Sequence, residues 1–351
     1  MSSIPLNLPW HQHDQYTINL FARGGNLPGH VSDGLKQAGM QFLSAGAFAI
    51  KTEKNWCVIW QKIHAVLVEL NAVHLVEVAL TPGEVNMHAQ PKMDHKQVAD
   101  IQAIADSMWL GEALTDDRLI CYLQPVVHTK DKIFGYESFA RVQVADSKEV
   151  IAGDAIIEAS KALGIEYVVD RMLQVQAIQT FVSSDFNGFL FVNFLPGFIH
   201  RPAIYLEGLS ETVKTHGVIP KHVVLEFTNS ETPRDLTHLK NVCEYGRSRG
   251  YSIALDDINT VESARRLVVE IRPDFVKIDM DLAQRTEDKR ACDVIRNIVE
   301  LVHGAGGTVI AEGVENKENH EQLKALGVDL FQGYHFSAPV PVEKALKRNS
   351  A

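Results

Sequence analysis

The stretch YSIALDDINTVESA, residues 251–264, is the one on which the reading of this chain turns. Its first five residues, Tyr251 to Leu255, are mostly apolar and read as a buried strand. Two carboxylates, Asp256 and Asp257, then stand side by side where such a strand should end. Adjacent acids repel each other, so this is either a solvated turn or a site whose ligand makes the repulsion worth keeping. The residues that follow, Ile258 to Ser263, contain no glycine.

Working outward, the same pattern recurs. Apolar runs appear at LICYLQPVV, IFGYESFARV, GFLFVNFLP, HVVLEFT, YSIALDDI, FVKIDM, GTVIAEGV and DLFQGYHFS. Amphipathic helical stretches such as DLTHLKNVCEYGRSRG and ENHEQLKALG separate most of them, each ending on a glycine. Eight strand candidates over about 230 residues predict an α/β fold, a TIM-like (β/α)8 barrel. Nearly every run carries an ionisable or amide residue near its C-terminal end: Glu137, Asn193, Glu226, Asp256 with Asp257, Lys277, Glu312 and Gln332. In an all-parallel barrel these ends converge on one mouth. Taken singly, each acid is more often a solvated turn or helix cap, Asn193 a turn residue and Lys277 a surface charge. Independent caps would not follow apolar runs so regularly.

A buried carboxylate is costly unless it is paired or holds a metal. Several carboxylates and an amide oxygen converging beside a single lysine call for hard cations, Mg²⁺ or Mn²⁺, which favour oxygen ligands. Adjacent Asp256 and Asp257 suit two ions about 3.5–4 Å apart. The pattern is that of a dinuclear hydrolase; periodicity does not name the substrate.

At 351 residues the chain is long enough for a barrel and a smaller unit. An apolar content of 46% with 22% charged residues describes a globular protein, and a net charge of −10 argues against a DNA scaffold or a membrane-surface binder. No apolar run is long enough to span a membrane and no secretory signal is read at the start, so a cytoplasmic location is expected. Cys57, Cys121, Cys243 and Cys292 match no zinc or CxxC spacing and read as buried reduced thiols. The first hundred residues have a different texture. AFAIKTEKNWCVIWQ and HLVEVALTPGEVNMHAQ each read as two strands around a turn, and SDGLKQAGMQFLSAG as a short helix. His11 and His13 form a possible metal pair lacking an obvious third ligand. A boundary is expected near residues 90–97, with a helix over residues 98–114, giving a small α+β domain over residues 1–102, a barrel over 103–345 and a tail over 346–351.

The motifs also resemble a known family. YLQPVVHTKDKIFGYESFAR is similar to the opening of the EAL-domain cyclic-di-GMP phosphodiesterases, with Glu137-Ser138-Phe139 at the namesake Glu-Ala-Leu. The similarity continues in order through FVNFLP, VVLEFTNSE, IALDDI, PDFVKIDMDL, VIAEGVE and LGVDLFQGYHFSAPVP, covering about residues 103–345. The resemblance implies hydrolysis of cyclic-di-GMP to linear pGpG with two Mg²⁺ or Mn²⁺ ions in a homodimer joined through the barrel. By motif position it makes Glu137, Asn193, Glu226 and Asp256 metal ligands, with Asp257 on the second ion. Lys277 would hold or activate the attacking water. Glu312 and Glu315 would act through metal-bound water or outer hydrogen bonds, and Gln332 would orient the cluster. Gln124 and Arg141 would meet the dinucleotide, Arg141 as a phosphate clamp.

Three stretches depart from the family. Phe-Gly-Thr-Gly-Tyr-Ser-Ser becomes Ile258 to Ala264, with Asn259 and Val261 where the glycines stand, so the backbone path must differ. Asn229 replaces the second acid of the family's Glu-x-x-Glu, and Phe139 the namesake leucine, which would reshape the guanine pocket. Two functions of different class follow: an active phosphodiesterase under N-terminal control, or a cyclic-di-GMP receptor of weak activity that signals to a protein partner. Retention of the direct ligands favours the enzyme, and restoring Gly at 259 and 261 with Asn229→Glu is expected to raise kcat.

Overall fold

The computed structural model describes residues 14–349 apart from 45, 54, 84–93, 131, 185, 187, 195–198, 200 and 229–235. His11, His13 and Asn229 lie outside the described residues. The chain divides into two compact units, residues 1–118 with 154–166, and residues 119–153 with 167–351. No helix among the described residues is long and apolar enough to cross a membrane.

The first unit contains β1 (Gln15–Ala22), α1 (Gly29–Gln37), β2 (Gln41–Ser44), β3 (Ala47–Glu53), α2 (Trp56–Glu69), β4 (Val76–Pro82), β5 (Lys96–Gln97) and α3 (Val98–Thr115). Its antiparallel sheet has the order β2-β3-β1-β4-β5, and the first four strands with their two helices form a split βαβ arrangement. Two expected elements are corrected here. The run after Glu53 is helical, not a second strand: Trp56, Trp60, Ile63 and Leu67 are buried at helical spacing, which a seven-residue window of aromatic and β-branched residues conceals. SDGLKQAGMQFLSAG is half helix and half strand. Gly39 at φ 93° ends α1 in a left-handed turn, closed by Met40 N–H to Leu35 O at 3.0 Å and Gly39 N–H to Lys36 O at 3.0 Å. β2 starts two residues later.

The second unit is the barrel. Its strands are β6 (Leu119–His128), β7 (Ile133–Gln143), β9 (Phe189–Phe194), β10 (Val223–Thr228), β11 (Ser252–Ile258), β12 (Phe275–Ile278), β13 (Thr308–Ala311) and β14 (Leu330–Phe331). The short strands β8 (Val150–Ala152) and β15 (Val340–Pro341) flank β7 and β6. Helix α4 (Gly153–Leu163) lies almost wholly within the first unit, and α5 (Glu166–Ser183), α6 (Pro202–Thr215), α7 (Leu236–Ser248), α8 (Val261–Ile271), α9 (Met280–Ala283), α10 (Lys289–Gly304) and α11 (Lys317–Ala325) alternate with strands. Helix α12 (Val342–Asn349) takes in residues 346–349, where a tail is expected from the sequence.

All eight expected strands are present and the sheet closes, because β6 pairs with both β7 and β14. The closure is not all-parallel. β6 runs antiparallel to both neighbours, while β7 and β9–β14 run parallel to one another. A tight β6–β7 connection leaves no room for a crossover helix, which a parallel pair requires.

Inside, Val126, Phe191, Val224, Ala254, Phe275, Ile310 and Leu330, one from each of seven strands, form a closed apolar layer. Phe134 of β7 completes it, stacked on Phe189 with ring centroids 4.5 Å apart. The backbones come too close there for a side chain at Gly135: a Cβ would lie 2.5 Å from the Phe189 carbonyl oxygen. This layer is the floor beneath the site. Phe275→Ala should cost about 3–5 kcal/mol by opening a cavity in that floor, read as a lowered denaturant midpoint of the barrel transition.

Candidate active site

Strand periodicity turns the floor into a site. Two residues beyond each floor residue the same inward face carries a polar group: Phe191 leads to Asn193, Val224 to Glu226, Ala254 to Asp256, Phe275 to Lys277, Ile310 to Glu312 and Leu330 to Gln332. On antiparallel β6 the polar residue comes first in sequence, Gln124 before Val126. Gln124 stands directly opposite Glu137.

Lys277 sits at the centre and is fully buried. Its Nζ lies 2.6 Å from Glu312 Oε1, 2.7 Å from Glu226 Oε1, 2.9 Å from Glu137 Oε2 and 3.5 Å from Asp256 Oδ1. The expected alternative of a surface charge is therefore excluded for this residue. Burial opposes its charge, but the carboxylates of Asp256, Glu137, Glu226 and Glu312 outweigh that and hold the ammonium well above its ordinary pKa. Two amides fix Glu137 from the side. Gln332 Nε2 donates to Glu137 Oε2 at 2.7 Å and to Gln124 Oε1 at 2.9 Å, and Asn193 Nδ2 donates to Glu137 Oε1 at 3.1 Å. Gln124 in turn donates to the Ser337 carbonyl at 2.9 Å, a positioning contact that had no signal in the sequence.

The paired aspartates depend on a break in regularity. In an unbroken strand, successive side chains point to opposite faces. The β11–β12 register shifts between Leu255 and Ile258, and Asp257 takes a left-handed φ of 56°. Carboxylate oxygens of Asp256, Asp257 and Glu312 thereby come within 4.8 Å of one another. Asp257 N–H donates to Asp256 Oδ1 at 2.9 Å. Burial, then Asp256, then Asp279 push Asp257 up to about 6. Asp279, two residues beyond Lys277, was not singled out in the sequence.

Burial and then the Glu137 charge push Glu226 well above the carboxylate range. Glu312 is also raised by burial, although its side chain keeps 19% of its surface and water screens part of that effect. Glu226 Oε2 is buried with no hydrogen-bond partner. Four carboxylates around one ammonium, Asp257 beside them and an unpartnered buried carboxylate oxygen fit an oxygen-seeking divalent cation.

Other expected residues lie apart from the ring of contacts around Lys277. Glu315 is exposed and accepts from Gln284 at 3.1 Å. Arg141 lies four residues beyond Glu137 on the same face of β7, half-buried over the rings of Tyr122 and Phe139. After Asp257 the strand ends at Ile258, and Thr260 caps α8 by accepting from Ser263 N–H at 3.1 Å. A helical turn thus stands where the family has its glycine loop. Of the thiols, Cys243 is buried, while Cys57, Cys121 and Cys292 are only partly so; all four are free.

The EAL-domain family model matches residues 108–339. The chain belongs to the EAL-domain family. It is 32% identical over 123 residues to the Escherichia coli cyclic di-GMP phosphodiesterase PdeL, covering 35% of this chain and 34% of that protein. It is 25% identical over 227 residues to the Bacillus subtilis EAL-domain containing protein YkuI, covering 64% and 55%. A standalone EAL protein from Vibrio cholerae O395, solved in a cyclic-di-GMP bound form, matches at 29% identity and a TM-score of 0.55, covering 63% of this chain and 92% of that one. The chain thus spans about a third to just over half the length of these two curated relatives.

Lys277→Met keeps the bulk of the side chain and removes the ammonium. It should cost about 3–5 kcal/mol at pH 7, because four carboxylates lose their shared partner. The raised pKa values of Glu226 and Glu312 set the sign of the pH effect: the folded state takes up protons there more readily than the unfolded chain, so acidification favours folding. Without the ammonium, whose charge lowers both groups, Glu226 and Glu312 should rise further, so acidification from pH 7 to pH 5 should stabilise the variant more than the wild type and shrink its deficit, measured by thermal unfolding without divalent ions.

Proposed function

We propose that this chain hydrolyses cyclic-di-GMP to linear pGpG at the mouth of its barrel, using two Mg²⁺ or Mn²⁺ ions. The observation that carries the reading is the completeness of the acidic ring around Lys277, with the unpartnered Glu226 oxygen inside it. Family membership supports the substrate class, as do the activity named for PdeL and the ligand named for the Vibrio cholerae structure.

In this reading Glu137, Asn193, Glu226, Asp256 and Asp257 hold the metals, with Glu312 beside the aspartate pair. Bound there, the ions lower the pKa of coordinated water and neutralise charge growing on phosphate oxygens. The chain's own groups do the rest. Lys277 keeps Glu137, Glu226, Asp256 and Glu312 converged on one point and would hold the attacking water beside them. Gln332 and Gln124 lock the orientation of Glu137, and Arg141 binds the phosphodiester. Water adds to phosphorus, the P–O3′ bond breaks, and the products are a 5′-phosphate and a free 3′-hydroxyl. Glu315, exposed and held by Gln284, acts from outside this ring. Residues 1–102 form the regulatory part, and the working species is a cytoplasmic homodimer joined through the barrel.

The helical turn at Thr260 favours a second reading, a cyclic-di-GMP receptor with little turnover that signals through a protein partner. A single assay separates the two: purified protein is incubated with cyclic-di-GMP and Mn²⁺, and pGpG is followed. Binding without pGpG release selects the receptor. Under the enzyme reading, Glu137→Ala should lower turnover at least about 100-fold. Independently of turnover, Mn²⁺ at about 100 times its dissociation constant should stabilise the protein by about 2.7 kcal/mol, and Glu226→Gln should remove most of that gain.

A further inference from the structure

The β6–β7 pair is longer than the other barrel strands, ten and eleven residues against at most seven. Its inward face can be followed as a ladder of opposed pairs. Gln124 faces Glu137 inside the acidic ring, Tyr122 faces Phe139 one step further, and Ile120 faces Arg141 at the top. Each step of two residues rises about 6.8 Å, so Arg141 stands about 14 Å along the strand from Glu137. β8 and β15 brace this part of the ribbon on its outer edges, pairing with Arg141 to Gln143 and with Tyr122 and Leu123.

Arg141 does not extend freely into solvent. Its guanidinium carbon lies 5.5 Å from the centre of the Tyr122 ring and 5.9 Å from that of Phe139, and Nη1 donates to the Ala140 carbonyl at 2.7 Å. Both distances fall within the range where a cation is attracted to an aromatic face. The carbonyl bond uses one of the five N–H donors of an arginine, and the stacking uses none.

We propose that Tyr122 and Phe139 are positioning residues for Arg141: their rings hold the guanidinium over the barrel mouth so that its remaining donors meet a phosphodiester. This gives Phe139, at the namesake leucine position, a role that leucine lacks the π-system to fill. The assignment rests on the nucleotide-binding reading above only for the identity of the anion. A pre-placed guanidinium spends less rotamer entropy when the phosphate arrives, so the rings act on binding more than on the chemical step.

Two measurements on the full chain decide it. The first needs no nucleotide: the Arg141 Nε–H resonance, assigned through Arg141→Lys, should show a ring-current shift. The shift should persist in Tyr122→Phe and disappear in the double variant Tyr122→Leu/Phe139→Leu. An unchanged resonance in the double variant overturns the proposal, whether or not the protein binds cyclic-di-GMP. The second is a cycle with cyclic-di-GMP. Tyr122→Leu/Phe139→Leu should raise KM about five- to twentyfold with kcat within about twofold, as expected for two half-buried cation–π contacts. In an Arg141→Ala background the same pair of changes should leave KM unaltered, since the rings act through Arg141. Full additivity in that background would mean that the rings touch the nucleotide themselves, and would overturn the proposal. Failure of the wild-type chain to bind cyclic-di-GMP would instead count against the functional reading, and the resonance would still decide the role of the rings.

Discussion

One ammonium group makes this barrel mouth possible. Four carboxylates from different strands approach Lys277 Nζ within 3.5 Å, in an environment where each alone would be costly to ionise. Burial works against charge on both sides, and the outcome is divided: the lysine stays cationic, while Glu226 and Glu312 are drawn toward the neutral form. The site therefore stores unsatisfied demand for positive charge. The orphan oxygen of Glu226 and the clustered oxygens of Asp256, Asp257 and Glu312 are where that demand is concentrated.

The barrel supplies the geometry by a simple alternation. One inward residue per strand makes a dry floor, and the next inward residue makes a charged ring above it. The floor excludes water from below, which strengthens every electrostatic interaction in the ring. The exception in the pattern is the aspartate pair. Two neighbours on a regular strand cannot both face the mouth; the register shift and the left-handed turn at Asp257 let them do so.

Much of this was legible in the residues. Each apolar run followed by a polar group predicted a strand and its contribution to the mouth, and all eight runs are strands. What was not legible has physical causes. The direction of β6 is decided by a short connection to β7, not by its own composition, so the sequence did not show that Gln124 stands opposite Glu137. The bulge at Asp256–Asp257 has no glycine to mark it, since aspartate tolerates the left-handed region unaided. The stretch after Asp257 follows a different path, as Asn259 and Val261 require, and becomes a helix capped by Thr260 with Ser263. In the first unit, short windows misjudged NWCVIWQ and QFLSAG because tertiary burial, not local propensity, selects between helix and strand there.

The way the barrel shuts also bears on its birth at the ribosome. β6 is the first barrel strand to be synthesised but finds its partners β14 and β15 only after about 200 further residues have emerged, and until then its free edge is open to wrong neighbours. Biogenesis of this protein should therefore be most vulnerable late in translation, when a nearly complete sheet waits for its final staves.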